Sequence, residues 1–219
     1  MIKTWIANIS PLLSEEKYQY YYQRASAIRQ EKADGLKNPL NKAQSIGVWA
    51  LWSKIKEDFS FHDDYLYNFS HSGFYVLCTV DTSKPKEENA ESETAPLLGG
   101  DIEKLGEFKP NFVKRFFTVG EAEEILSLQE EAQQIDLFYR YWVLKESYVK
   151  ASRKGLTLDT KSFELMPQKP GERVTLLNQP EDFRRDFYLY ELTLGELPYK
   201  AAICTTSAQV DLEVKEYSL

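Results

Sequence analysis

The stretch "FYRYWVLKESYVKASRKGL" (residues 138–156) predicts a long helix, because its apolar and aromatic side chains recur at helical spacing. Trp142, Glu146 and Lys150 follow one another at four-residue intervals, so they lie along one face of that helix. A glutamate four residues before a lysine is common on exposed helix faces, where the pair contributes roughly 0.2–0.5 kcal/mol to helix stability. For this helix taken alone, an exposed ion pair is the simpler interpretation.

The segments around this helix predict an α+β fold. We expect helices over residues 14–28, 41–59, 118–129 and 133–152, and strands over residues 2–10, 73–80 and 97–105. Two further strands are expected within residues 184–207, joined by a turn around residues 195–198. Residues 106–117, with Pro110, predict a connection. The boundary between residues 105 and 106 then separates two halves, 1–105 and 106–219.

The composition limits the classes of function. The chain has 219 residues and a formal net charge of −7, which argues against a general nucleic-acid binder, since such proteins need a basic surface. Its two cysteines, Cys78 and Cys204, predict neither a disulfide framework nor a cysteine zinc site. No secretory signal is evident, and no segment approaches the roughly 20 apolar residues of a membrane span. We therefore expect a cytoplasmic protein that binds neither nucleic acid nor membrane.

Residues 81–96, "DTSKPKEENAESETAP", form the most polar stretch of the chain. They include five acidic residues and two lysines and lack large apolar side chains. This composition predicts an exposed, mobile loop.

The stretch "YNFSHSG" (residues 67–73) places Ser70 directly before His71. In an extended chain their side chains point to opposite faces, so they cannot act together as nucleophile and base. Two interpretations stay open. The stretch is either a polar strand or loop that offers a hydroxyl and an imidazole to an anion, or a turn closed by capping bonds from Asn68 and Ser70.

The stretch "GGDIEKL" (residues 99–105) places two carboxylates on one face of a strand. Asp101 and Glu103 are two residues apart, so both project from the same face while Ile102 points to the core. Adjacent carboxylates repel each other unless a cation lies between them, and Mg²⁺ suits such a pair. Because D-x-E also occurs on solvated edge strands, this pattern alone is weak.

Taken together, the blocks "NFSHS", "GGDIE" and "WVLKESYVKASRKGL" resemble, in order and spacing, motifs of the 4′-phosphopantetheinyl transferase superfamily, in its large, surfactin-synthetase-activating type. The resemblance extends from about Arg29 to Leu158, and the third block is the most specific. It implies an α+β fold in which two similar halves form a pseudo-dimer with the active site between them. A monomer is implied as well, since the shorter, trimeric type of the family holds only one such half.

The resemblance also implies the reaction. The 4′-phosphopantetheine of coenzyme A would pass to a serine of an apo acyl or peptidyl carrier protein, and adenosine 3′,5′-bisphosphate would leave. Asp101, Glu103 and Glu146 would hold Mg²⁺ against the pyrophosphate, with Glu146 and Lys150 as the catalytic residues. Six positions would bind the coenzyme, by match to the family: Arg29, Lys32, Lys42, Ser70, His71 and Lys150.

A carrier-docking surface is expected in the second half. Carrier proteins of this family are mostly acidic, and residues 140–161 contain six basic and two acidic residues, a local balance of +4. Such an asymmetry would steer an acidic partner. A solvated helix face is the alternative interpretation.

The sequence departs from the family pattern at two places. Gly100 stands where the family usually has an aliphatic residue, which predicts a looser strand. The expected G-K-P segment is replaced by "KIKEDFSFHDDY" (residues 54–65). Two other classes of function also stay open: a Mg²⁺-dependent nucleotide or phosphodiester hydrolase that uses the same acids, and a non-catalytic coenzyme A-binding module.

Overall fold

A computed structural model describes residues 1–85 and 95–219. Six α-helices are described: α1 (Glu15–Tyr22), α2 (Ala27–Asp34), α3 (Pro39–Phe59), α4 (Pro110–Phe116), α5 (Val119–Ser127) and α6 (Glu131–Ser152). Nine strands are described: β1 (Ile2–Asn8), β2 (Tyr65–Ser72), β3 (Tyr75–Pro85), β4 (Leu98–Lys104), β5 (Glu164–Met166), β6 (Thr175–Asn178), β7 (Tyr188–Leu192), β8 (Tyr199–Thr205) and β9 (Val210–Ser218). In these residues no helix combines the length and the apolarity that crossing a membrane requires.

The chain contains the same unit twice: a strand, a long helix and a β-hairpin. The first unit is β1, α3 and the hairpin β2–β3, with sheet order β2-β3-β1, and the second is β4, α6 and β7–β8, with the corresponding order β7-β8-β4. In each unit the first strand pairs antiparallel with the second strand of the hairpin. The expected α+β fold of two similar halves is therefore confirmed.

The sheets do not follow the predicted boundary at residues 105 and 106. Strand β4, which the prediction assigns to the first half, pairs with β8 of the second. Strand β9, which the sequence pattern did not reveal, pairs parallel with β1 and completes the first sheet. The second unit thus begins before Leu98, and the division into two separate domains stays a prediction.

The two sheets pack face to face between the long helices. Alternate residues of β3 face opposite sides, so Val76 joins the core under α3 while Leu77 joins the core between the sheets. Leu98 and Ile203 of the second sheet meet Leu77 in that central core. A third core lies between the second sheet and α6. The resulting order of layers is helix, sheet, sheet, helix.

Three predicted elements differ from the structure. The helix expected to continue to Ile28 ends at Tyr22, where the chain turns before α2 begins. The connection expected over residues 106–117 contains α4, because Pro110 lies at the start of a helix, where its missing N–H is tolerated. The loop expected from Asp81 begins later, since β3 continues to Pro85. Residues 86–94 of that loop lie outside the described residues.

Two glycines allow β4 to approach its neighbours closely. A Cβ at Gly99 would lie 2.1 Å from the backbone oxygen of Ser147 on α6. A Cβ at Gly100 would lie 2.8 Å from Thr79 Cγ2 of β3. Gly100 therefore does not loosen the strand as expected from the family pattern, because Thr79 fills the space beside it.

We predict that Gly100→Ala lowers the free energy of unfolding by about 1–3 kcal/mol, because the added methyl group overpacks against Thr79. In combination with Thr79→Ala, the loss of stability should be much smaller than the sum of the losses from the two single substitutions. Urea denaturation of the parent, the two single variants and the double variant would measure this difference. Gly99→Ala is the matched control. The Cβ added at Gly99 would clash with the backbone of α6, so Thr79→Ala should not relieve the loss. If the losses from Gly100→Ala and Thr79→Ala simply add in the double variant, the proposed contact with Thr79 is wrong.

Candidate active site

The two units are joined by side chains of β2 that bond to the backbone of β4. Three alternate N–H groups of β4 donate to three alternate side chains of β2: Gly100 to Asn68 Oδ1 at 2.9 Å, Ile102 to Ser70 Oγ at 3.3 Å and Lys104 to Ser72 Oγ at 3.0 Å. We call this set the β2–β4 ladder. It satisfies the edge of β4 that faces away from β8. Of the two interpretations of "NFSHS", the polar strand is the one observed.

The ladder brings Ser70 into contact with two predicted site residues. The Ser70 hydroxyl donates to Asp101 Oδ1 at 2.7 Å, and Lys150 Nζ donates to Ser70 Oγ at 2.8 Å and to Asp101 Oδ1 at 2.7 Å. Lys150 comes from α6, so this cluster joins β2, β4 and α6. The Glu146–Lys150 pair is therefore not a simple surface ion pair, because the lysine turns inward to Asp101.

The pKa values of the two neighbouring glutamates, Glu103 and Glu146, are raised. Burial, followed by the charge of Asp101, raises the pKa of Glu103 to about 7, although Ser72 and Trp142 hydrogen-bond to it. Burial and then Asp101 also raise the pKa of Glu146. Both glutamates thus lie within reach of the Asp101 charge, and Lys150 is a cation that lowers the pKa of both.

A cavity of about 690 Å³ opens beside this cluster. Glu146 and Lys150 line it, and Ser70 and Asp101 lie behind Lys150 through the hydrogen bonds above. Its other lining residues include four that the sequence analysis did not assign to the site: Asn68, Arg115, Phe116 and Trp142. Two of these carried a signal in the sequence: Asn68 belongs to the block "NFSHS", and Trp142 lies one helical turn before Glu146.

The predicted coenzyme-binding residues fall into two groups. Lys32 of α2 and Lys150 both lower the pKa of His71, after the larger effect of burial, so these three lie on one side of the molecule. Arg29 approaches Tyr67, on the same strand as His71. Lys42, by contrast, lines a separate cavity of about 430 Å³ formed by α1, α2 and α3. The structure therefore does not bring Lys42 to the cavity that Lys150 lines.

The basic surface expected over residues 140–161 is smaller than its sequence balance indicates. Lys145 is fully buried and pairs with Glu121 at 2.8 Å. Arg140 pairs with Glu191 at 2.7 Å, and Lys150 is held by Asp101. Three of the six basic residues in this stretch are therefore held in ion pairs within the protein, and the docking surface stays a prediction.

The side chains present suit a divalent cation by chemistry. Asp101 Oδ2 is buried without a hydrogen-bond partner, and burial together with the negative charge of Asp101 raises the pKa of both neighbouring glutamates. Hard carboxylate oxygens are the ligands that Mg²⁺ prefers. Among residues 1–85 and 95–219, no three His, Cys, Asp or Glu side chains converge closely enough to enclose a metal ion as they stand. Binding would therefore require side-chain reorientation.

Comparison with known proteins adds an independent result. Residues 97–204, which contain β4, α6, Asp101 and Lys150, match the model of the 4′-phosphopantetheinyl transferase superfamily. This chain belongs to that superfamily. The match includes two of the three sequence blocks, and the resemblance inferred from them is confirmed.

Relatives of the surfactin-activating type match beyond that segment. The chain is 34% identical over 140 residues to 4′-phosphopantetheinyl transferase Sfp of Bacillus subtilis (strain 168), covering 63% of this chain and 54% of that protein. A second 4′-phosphopantetheinyl transferase of Bacillus subtilis is 32% identical over 157 residues, covering 70% of this chain and 62% of the relative. The chain therefore spans less than two thirds of the length of these relatives.

A solved structure also matches with low similarity. A holo-(acyl-carrier-protein) synthase from Bacillus anthracis str. Ames, in complex with CoA (3′,5′-ADP), is 18% identical with a TM-score of 0.41 and covers 50% of this chain and 93% of that chain.

We predict that Ser70→Ala lowers the free energy of unfolding by about 1–3 kcal/mol, because it leaves the buried N–H of Ile102 unsatisfied and removes a donor to Asp101. Urea denaturation would measure the loss. Ser72→Ala is the matched control: Ser72 makes the equivalent bonds to Lys104 and Glu103 nearer to solvent, so its loss should be smaller. Equal losses would contradict a buried role for Ser70.

Proposed function

We propose that this protein transfers 4′-phosphopantetheine from coenzyme A to a serine of an apo acyl or peptidyl carrier protein. The observation that carries the proposal is the convergence of the three sequence blocks on one hydrogen-bonded cluster beside the cavity. Ser70 of the first, Asp101 of the second and Lys150 of the third are joined by hydrogen bonds of 2.7–2.8 Å. Membership in the superfamily supports the same reaction.

The reaction would proceed by attack of the carrier serine oxygen on the β-phosphorus of coenzyme A. A P–O bond forms to that serine, the P–O bond to the leaving adenosine 3′,5′-bisphosphate breaks, and the serine proton would pass to the Glu146 carboxylate as base. Lys150 is 26% exposed and faces the cavity, so its ammonium would grip the coenzyme phosphates and neutralise charge that builds up on them. Glu146 would line the same pocket on the side of the incoming serine.

Asp101, Glu103 and Glu146 would hold Mg²⁺. When bound, the ion would neutralise the pyrophosphate oxygens of the coenzyme. The buried, unbonded Oδ2 of Asp101 supports this donor set, as do the raised pKa values of the two glutamates, since burial and the Asp101 charge disfavour carboxylates that a bound cation would stabilise. Trp142 and Ser72 would hold Glu103 in position through their hydrogen bonds to it.

Coenzyme A would lie across β2 towards α2. Arg29, Lys32 and His71 would contact its phosphates, which is supported by the proximity of Lys32 to His71 and of Arg29 to Tyr67. The lowered pKa of His71 indicates a neutral imidazole near pH 7, which can donate one N–H to a phosphate oxygen. Lys42 would contact the coenzyme only if the nucleotide reaches the second cavity.

The carrier protein would dock at the mouth of the cavity. Arg115 and Arg153 line this mouth together with Leu156, whose side chain is fully exposed. An apolar side chain beside guanidinium groups suits an acidic carrier with an apolar contact near its serine. A monomeric enzyme in the cytoplasm is part of the proposal, supported by two units in one chain and by two free, buried thiols, Cys78 and Cys204.

Intact-protein mass spectrometry would test the reaction. We expect an apo carrier incubated with this protein, coenzyme A and Mg²⁺ to gain one phosphopantetheine, and EDTA to abolish the gain. Hydrolysis of coenzyme A without any gain on several carriers would contradict the proposal and favour a hydrolase. Binding of coenzyme A without either reaction would instead favour a non-catalytic module.

We predict that Glu146→Gln slows transfer by more than about 100-fold, because it removes a ligand from an ion that lowers the barrier by several kcal/mol. Glu131→Gln, an exposed change at the start of the same helix, is the matched control and should keep the parent rate. Circular dichroism would establish that both variants fold. A folded Glu146→Gln protein with full activity would contradict the metal role.

We also predict that Mg²⁺ raises the thermal midpoint of the protein, because a ligand that binds the folded state stabilises it by mass action. Glu103→Gln should reduce this increase while the protein without metal becomes no less stable, since the change removes a carboxylate that burial disfavours. Differential scanning fluorimetry at rising Mg²⁺ would measure both. An unchanged Mg²⁺ response in the variant would exclude Glu103 as a ligand.

A further inference from the structure

A fully buried lysine precedes Glu146 on α6. Lys145 is 0% exposed, and its ammonium makes three hydrogen bonds: to Glu121 Oε2 at 2.8 Å, to Thr160 O at 2.7 Å and to Phe163 O at 3.1 Å. A lysine has three protons to donate, so every one is used. A buried ion pair of this kind is weak evidence for stability but does fix geometry.

The partner of Lys145 is equally constrained. Glu121 accepts from the backbone N–H of Thr118 at 2.9 Å, completing the capping box of α5, and from the N–H of Leu165 at 3.0 Å. The Lys145–Glu121 pair therefore ties three parts of the second unit together: α6, the start of α5 and the segment that leads from α6 into β5.

That last segment forms a wall of the cavity. Leu158, Asp159 and Thr160 line it, as do Glu146 and Lys150 of α6. The wall has a second attachment, since the Thr160 hydroxyl donates to Phe116 O of α4 at 2.7 Å. Because Lys145 donates to the backbone of Thr160, its position determines how far this wall stands from the helix.

The coenzyme side of the site is held by other bonds. Within the described residues, Asp101 and Ser70 bond to each other and to Lys150, and neither bonds to Lys145 or Glu121. The β2–β4 ladder and the Lys145–Glu121 pair thus hold different parts of the site through separate sets of bonds.

We propose that Lys145 and Glu121 are positioning residues for the acceptor: they hold the wall at residues 158–160 against which the carrier protein docks. This inference rests on the proposed transfer reaction. It separates two functions within one helix, because Glu146 and Lys150 line the cavity while Lys145, one residue from Glu146, is buried and bonds to the wall at Thr160.

The test uses Lys145→Met/Glu121→Gln, which replaces the ion pair without leaving a buried charge. We expect the KM for the carrier to rise about tenfold, with kcat changed less than threefold and coenzyme A affinity, by calorimetry, within twofold of the parent. Hydrogen exchange should become faster in residues 155–163. If the carrier KM and the hydrogen-exchange rates of the variant equal those of the parent protein, the proposal is overturned.

The matched control is Arg140→Met/Glu191→Gln, which removes another ion pair of α6 whose bonds do not reach the wall. It should reduce stability without changing the carrier KM or exchange in residues 155–163. An equal rise in KM for this control would assign the effect to general destabilisation and overturn the proposal.

A second variant covers the case in which the first does not fold. Thr160→Val removes the bond to Phe116 and leaves the buried charges untouched. It should raise the carrier KM and the exchange rate in the same direction, and no change in either would overturn the assignment of this wall to the acceptor. If the parent transfers to no carrier, the proposed function fails, whereas exchange in residues 155–163 still reports whether the pair holds the wall.

Discussion

The contact between β2 and β4 is the constraint on which the rest of the structure depends. Ordinary strand pairing would place backbone against backbone, but here Asn68, Ser70 and Ser72 supply the acceptors. Because these side chains are short, the two sheets must lie close together, which the missing Cβ atom of Gly100 permits, while that of Gly99 lets α6 approach β4. The same serines that join the units also touch Asp101 and Glu103. The contacts that assemble the two units therefore also position the acids.

The electrostatics of the site follow from that close packing. Burial raises the pKa of Glu103 and of Glu146, and Asp101 raises both further. Lys150 is the cation that reaches Asp101, and it comes from the same helix as Glu146. Gathering like charges in this way lowers the stability of the folded protein. Such clusters usually occur at functional sites, where a bound cation and a charged substrate offset the repulsion. The proposed transfer reaction supplies both.

Much of this could be predicted from the sequence, because the informative patterns are local. The long helices α3 and α6 and the strands β1, β4, β7 and β8 each carry a clear period, and the three blocks identified the family. Strand β9 was missed because its pairing partner β1 lies some 200 residues away, outside any window of periodicity. The burial of Lys145 was missed for a related reason: its partner Glu121 lies on another helix, and a lysine in the sequence looks exposed. Tertiary contacts, not local propensity, decide both.

The parallel pairing of β9 with β1 has a consequence for how the chain folds. The first unit forms its hairpin and helix from neighbouring segments, but its sheet gains its fourth strand only when residues 210–218 arrive. During synthesis, β1 would thus stay an open edge until the second unit has been made, and such edges attract foreign strands. Contacts this distant in sequence slow folding and couple the two units into one cooperative transition. Partial chains should accordingly be the aggregation-prone species, and the complete chain the protected one.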